Sequence, residues 1–570
     1  MREVVTLQIG GFANFIGSHF WNFQDELLGL AGDPDADPVF KNPGVNMDVL
    51  YRSGETHEGV LTYTPRLVSV NYQGSLGSMS SHGTLYNQTS ESPSPVATWK
   101  GSVSTQRSES HKRNLFLQSL YEEEQKQKIG KDNRNADLPD DIGDKDIVES
   151  LENDVQFWTD FSKAHYHPQS LYEINGLWMD VEGFDNYGMG KDVFSESFRG
   201  EEMTERLRFF IEECDHVQGI QCVVDDSGGF SSVAVDFLQN IADEFTNTPV
   251  LLYTVRDPGS SMSSRSRKRN ISRDLHDAIS FAKLSPFCKL IVPVGLPSLS
   301  GSKVSTNLHV NDKKPFHSSS IYAAALHTLS LPFRMDTLAP AATSGSSLGA
   351  LDINSIAQML SGHLRQNMVA TLDATMPAPA IGEPAQEQLL SKLQSLTPET
   401  SENMEDVHSV ETLVIHGALK SGEQRASLSE VQQAISAAYE QASLRPRFCN
   451  LSAVTCPLPI PLPFPSIFSE NVGCSGQLLS NPSPNSSSKG PLDVHSIPMA
   501  ARLRSSSAVL PFLSSRLENL RKFGIQYGAI GGELMNSWGF GKEELEDMGE
   551  TLSNMVRNLD PYSDVTSDSD

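Results

Sequence analysis

The sequence predicts an α/β fold built on a parallel sheet, and three observations predict it. Strand-like apolar runs alternate with helical runs of amphipathic spacing, glycines sit where strand gives way to helix, and the alternation recurs up to about residue 335 of the 570-residue chain.

Residues 3–9 read as a short buried strand. Gly10 to Gly17 then lead into a helix for which Asn14 is the candidate N-cap, with Phe15, Ile16, Phe20, Trp21, Leu27 and Leu28 on one face and Gly29 and Gly32 at its end. Pro65 precedes a second strand, Leu67 to Val70, which stops at a turn containing Gly74. Residues 89–147 are polar and rich in Ser, Lys and Asp, a composition that predicts a largely disordered insertion with a helical patch around Leu115 to Tyr121. Next come an amphipathic helix from about Glu201 to Cys214, the strand QGIQCVV, and a glycine loop. Ala234, Phe237, Leu238, Ile241 and Phe245 then recur at helical spacing. Strands at Pro249 to Val255 and in KLIVPVG, followed by KPFHSSSIYAAALHTLSLPFR, complete a first domain of residues 1–88 and 148–335. A second α+β domain is expected over 336–515, with low-complexity loops at 376–403 and 479–490. Two C-terminal helices are expected over 516–559, followed by an acidic, unstructured tail at 560–570.

Composition narrows the function classes. Asp and Glu total 71 against 44 Lys and Arg, a formal net charge of −27 that repels nucleic-acid phosphates and favours cationic partners. Six widely spaced Cys without a C-x-x-C pair predict neither a zinc site nor a disulfide framework, and so a reducing, intracellular setting. No cleaved targeting signal and no run of about 18 apolar residues is visible. The basic run at 263–274 reads either as a docking patch or as a solvated surface, and the alternating prolines from Pro457 to Pro465 either as an extended docking segment or as a rigid packed loop.

Chemistry is suggested by glycine between strand and helix, where backbone N–H groups and the helix dipole stabilise an anion and the missing Cβ admits it closely. The chain offers this three times: Gly10 to Gly17, DNYGMG at 185–190, and Ser227 to Ser232. Gly229-Phe230-Ser231-Ser232-Val233 is also close to a nucleophile elbow, which makes Ser231 a candidate hydrolase nucleophile, although its last position is not Gly. His165 and His167 form an H-x-H pair without a visible third ligand.

These loops carry a resemblance. Gly10, Asn14, Ile16, Gly17, Phe20 and Trp21 match the first phosphate loop and helix of tubulin; Tyr63, Pro65 and Arg66 match its Y-x-P-R segment. DNYGMG is similar to tubulin's third phosphate loop, and Cys214, Gln218 and Gly219 precede a rewritten G-G-G-T-G-S-G signature at 227–233. With the insertion after the second loop, the sequence resembles the Misato family, divergent relatives of tubulin and FtsZ. The resemblance implies a tubulin/FtsZ-like fold and a cytoplasmic protein that associates peripherally with the mitochondrial outer membrane through protein partners. It further implies a role in mitochondrial distribution, morphology and network organisation, fusion included. It places nucleotide contacts at Gly10, Gly11, Phe12 and Asn14, at Asn71 and Gln73, at Asn186, Gly188 and Gly190, and at Ser227, Gly228, Gly229 and Ser231.

The departures from tubulin bear on catalysis. Asn71 and Gln73 replace acidic positions that would serve Mg²⁺ and water. Phe230, Ser231 and Val233 replace small or glycine positions, and Asp225 and Asp226 set carboxylates beside the loop. The expectation is a scaffold without catalytic residues or a metal, in which binding of GTP or GDP without turnover stays open. The alternative is an active cytoskeletal GTPase that polymerises or assists spindle microtubule organisation.

Overall fold

The computed structural model describes residues 2–55, 59, 61–79, 97–98, 101–102, 111–129, 142–179, 183–191, 193, 199–261, 266–335, 347–362, 367–382, 386–401, 406, 408–421, 424–442, 444–479, 488–526 and 528–559. About half of the expected insertion at 89–147, and the whole tail at 560–570, lie outside the described residues.

The first sheet contains β1 (Glu3–Ile9), β2 (Leu67–Gln73), β3 (Leu171–Trp178), β4 (Val217–Asp225), β5 (Val250–Val255) and β6 (Leu290–Val294). All neighbours are parallel, in the order β6-β5-β4-β1-β2-β3. Both faces are covered, as a parallel sheet requires. Along β5, Leu251, Tyr253 and Val255 enter one core while Val250 and Leu252 enter the other. The helices that cover it are α1 (Gly11–Gly32), α2 (Arg199–Glu212), α3 (Phe230–Glu244), α4 (Arg267–Leu284) and α5 (Pro315–Arg334). Strand order reverses between β1 and β4, and the carboxyl ends of strands at such a reversal are where open α/β sheets bind ligands.

Every residue of α5 from Phe316 to Arg334 is buried, because the helix packs against α1 on one side and a second sheet on the other. That sheet contains β7 (Thr371–Thr375), β8 (Val410–His416), β9 (Phe448–Val454) and β10 (Met499–Ser505), in the order β9-β8-β10-β7 with a two-residue strand at each end. Only β8 and β9 run parallel. The helix α6 (Leu428–Gln441) covers one face, its first turn closed by a reciprocal Ser427–Glu430 capping box. Main-chain hydrogen bonds from Ile291 to Met368 and from Gly295 to Leu396 stitch the second domain to the free edge of β6.

Three local expectations are corrected. The first helix begins at Gly11 with Gly10 as its cap residue, because Gly10 takes φ 102°; Asn14 lies inside the first turn, where its amide donates to the Gly10 and Val70 carbonyls. The 376–403 stretch is not all loop, since it contains the helix Gln386–Lys392 and the strand Gln394–Ser395. The C-terminal region is three helices, α7 (Leu510–Asn519), α8 (Ala529–Ser537) and α9 (Lys542–Leu559), with a wide π-type segment, Leu520–Ile525, extending the first. The proline run packs on the body, with Leu458, Phe464, Ile467 and Phe468 buried.

Candidate functional site

The loops after β1 and β4 meet at the strand-order reversal, and what lies between them is a side chain of the protein itself. The Phe12 N–H, in the first turn of α1, donates to Asp225 Oδ2 at 3.1 Å. Asp225 Oδ1 accepts from the Ser227 N–H at 3.2 Å and from Ser227 Oγ at 2.6 Å. The carboxyl thus takes up donors that a helix N-terminus would turn towards a phosphate. Burial raises its pKa, and the hydrogen bonds from Ser227 and Phe12 oppose that rise.

The glycines of the rewritten signature admit protein rather than ligand. A Cβ on Gly228 would lie 2.1 Å from the Phe184 carbonyl oxygen, and one on Gly229 2.5 Å from the Phe184 ring. The Gly229 N–H donates to that same carbonyl at 2.8 Å. The Phe230 ring meets Tyr72 at 4.7 Å and Phe184 at 5.1 Å between centroids, both edge-to-face. Its Cδ2 would lie 3.1 Å from a Cβ built on Gly10. Three aromatic rings therefore fill space between the first, second and third loops.

The remaining predicted residues divide. Gly11, Asn186, Ser227 and Gly228 line a cavity of about 790 Å³. Asn14 instead clamps β1 to β2, its Oδ1 accepting from Ser69 Oγ at 2.8 Å. Asn71 turns its Oδ1 onto the Tyr72 N–H at 2.8 Å. Gln73 points towards β3, its Oε1 accepting from the Gly176 N–H at 3.0 Å, and it lines a different cleft. Gly188 packs under Trp538, and Gly190 packs against the Gly229 carbonyl, 2.0 Å from where a Cβ would stand. Both are contact glycines of the third loop.

Ser231 is fully buried and its Oγ donates to the Gly228 carbonyl at 2.9 Å, so it lacks the exposure and the base that a nucleophile needs. A fluorophosphonate probe is expected to leave the folded protein unlabelled at Ser231; stoichiometric labelling, read by mass spectrometry, would restore the hydrolase reading. His167 stacks on Phe209 at 4.8 Å, and among the described residues no group of three His, Cys, Asp or Glu side chains is placed to hold a metal.

Sequence reasoning missed the loop after β5. Arg256 Nε donates to Asp226 Oδ1 at 2.6 Å, and its Nη1 lies 2.8 Å from Asp277 Oδ1 on α4. Burial disfavours the guanidinium charge, but the two carboxylates outweigh it and hold the group above its usual pKa. His276 Nε2 bonds the Asp226 main-chain oxygen at 2.6 Å. Asp257 follows, its carboxyl pushed up to about 6 by burial against hydrogen bonds from Gly259 and Ser318. The signal available was position: Arg256 and Asp257 directly follow a parallel strand.

Tested as a nucleotide–Mg²⁺ site, these residues do not fit. Asp225 holds donors of the first loop, Phe230 fills the approach to Gly10, and the second loop turns its amides to the protein.

Family comparison agrees with the fold. A model described as Misato Segment II tubulin-like domain matches residues 2–122, and one described as Tubulin domain matches residues 148–335. Protein misato homolog 1 of Mus musculus is 31% identical over 411 residues, 70% of this chain and 68% of that protein. The Bos taurus protein of the same name is 28% identical over 588 residues, 97% of this chain and 96% of its own length. Protein DML1 of Gibberella zeae is 29% identical over 387 residues, 66% of this chain and 68% of that protein. Matches that tile the parallel-sheet domain in order and then run through most of the chain make the assignment: the chain belongs to the Misato family of tubulin-like proteins.

Proposed function

We propose that the chain is a tubulin-like scaffold that does not hydrolyse nucleotide and that acts in mitochondrial distribution, morphology and network organisation. The observation that carries the non-enzymatic half is the Asp225 carboxyl on the Phe12 N–H, where a nucleotide phosphate would need the donor. The mitochondrial half rests on membership of the Misato family.

Attachment at the cytosolic face of the outer membrane is peripheral and runs through protein partners in this reading. No described helix is long and apolar enough to cross a membrane, and the net charge of −27 favours partners that present basic surfaces. GTP and GDP are not required for the scaffold role.

Two measurements test the two halves separately. Purified full chain incubated with GTP and Mg²⁺ is expected to release phosphate no faster than a buffer blank; turnover that rises with protein concentration would support the cytoskeletal GTPase instead. In cells depleted of the endogenous protein, Ser231→Ala is expected to restore mitochondrial distribution as well as wild type does. Failure of wild type itself to change the mitochondrial network would remove the second half.

A further inference from the structure

Arg334, in the last turn of α5, is a fully buried guanidinium without a carboxylate partner among the described residues. Its exposure is 0%, its Nη2 donates to Met47 Sδ at 2.7 Å, and its Nε and Nη1 reach no acceptor. Tyr51, His327 and His416 lie close enough to feel its charge, and each has a buried polar atom without a hydrogen bond among the described residues. His327, about two turns earlier on α5, is fully buried with neither ring nitrogen bonded, and it stacks on His416 of β8 at 5.3 Å between centroids. The buried Tyr51 hydroxyl is also unpartnered, as is the indole N–H of Trp21, whose ring packs edge-on against Tyr51 at 5.6 Å.

These groups form an environment dominated by donors. Burial, followed by Arg334 itself, pushes His416 down to about 3, so that imidazole is neutral and offers one N–H. Burial lowers His327 as well, with His416 and Arg334 adding to the effect. Arg334 is pushed down to about 10 by burial, with Tyr51 and Tyr63 opposing, and keeps its charge at neutral pH. Water would satisfy the N–H groups yet leave the charge unbalanced, and an uncompensated buried charge is strongly unfavourable. A phosphate brings up to two charges for one guanidinium and needs an opening that a residue with no exposed surface does not offer.

We propose that the seam between α1, α5 and the second sheet binds a small monovalent anion of halide size on Arg334, with Tyr51, His327 and His416 around it. The anion then acts as an internal link between the two domains.

The test is thermal unfolding of the full chain in sodium chloride and in sodium gluconate at matched ionic strength, with Arg334→Met alongside. Wild type is expected to unfold about 2–4 °C higher in chloride, and Arg334→Met to show no difference. Equal midpoints for wild type, or a chloride effect that survives in Arg334→Met, would overturn the site. Should Arg334→Met fail to fold, Tyr51→Phe is expected to reduce the chloride effect, and an unchanged effect counts against the proposal. Crystals of wild type grown in bromide decide independently: an anomalous peak beside the guanidinium supports the site, and its absence contradicts it.

Discussion

Replacing Asp225 with Gly is expected to raise the affinity of the protein for pyrophosphate and GDP by about 10- to 1,000-fold. The carboxyl occupies the Phe12 N–H and places a negative charge within hydrogen-bond distance of the first turn of α1. At an effective dielectric near 20, a like charge about 4 Å away costs about 4 kcal/mol, and each 1.4 kcal/mol is roughly a factor of ten in affinity. The lower figure allows for Phe230, which still blocks the approach to Gly10. Adding Phe230→Thr is expected to move the gain towards the upper figure. Titration calorimetry reads both, and a double variant as indifferent to pyrophosphate as wild type would show that Asp225 does not close the site.

The second large effect concerns stability. Arg256→Met is expected to cost about 3–5 kcal/mol in urea unfolding, because it removes the cation that bonds two buried carboxylates. Asp226 and Asp277 both bond that guanidinium, with side chains 8% and 17% exposed. Adding Asp226→Asn and Asp277→Asn to Arg256→Met is expected to recover much of the loss, since the stranded charges are then gone. A loss below about 1 kcal/mol for the single variant would place the pair in the class of solvated surface bridges.

Much of the fold was legible because its signals are local. The β1 pattern, the helical spacing in α3 and the apolar run of β5 each show within a few residues. Asn14 was misjudged as a cap because the positive φ of Gly10 moves the helix start forward, which frees Asn14 to bond Ser69 on a neighbouring strand. The insertion of Phe184 onto Gly228 and Gly229 joins loops more than 40 residues apart, and no spacing rule signals such a contact. The same holds for Gln73, whose partner on β3 lies beyond the insertion. The changed residues themselves were legible: Asp225, Phe230 and the amides of the second loop stand out as departures from tubulin. Their directions were not, because a sequence does not show that a carboxylate beside a phosphate loop turns into it.

The central claim is that the phosphate-binding turns of this tubulin-like site are taken up by the protein's own side chains and main chain. Calorimetric titration of the wild-type full chain with GTP and with GDP, each with and without Mg²⁺, tests it most directly. The account predicts no saturable heat for either nucleotide, with or without the metal. Stoichiometric binding with a dissociation constant in the micromolar range or below would contradict it.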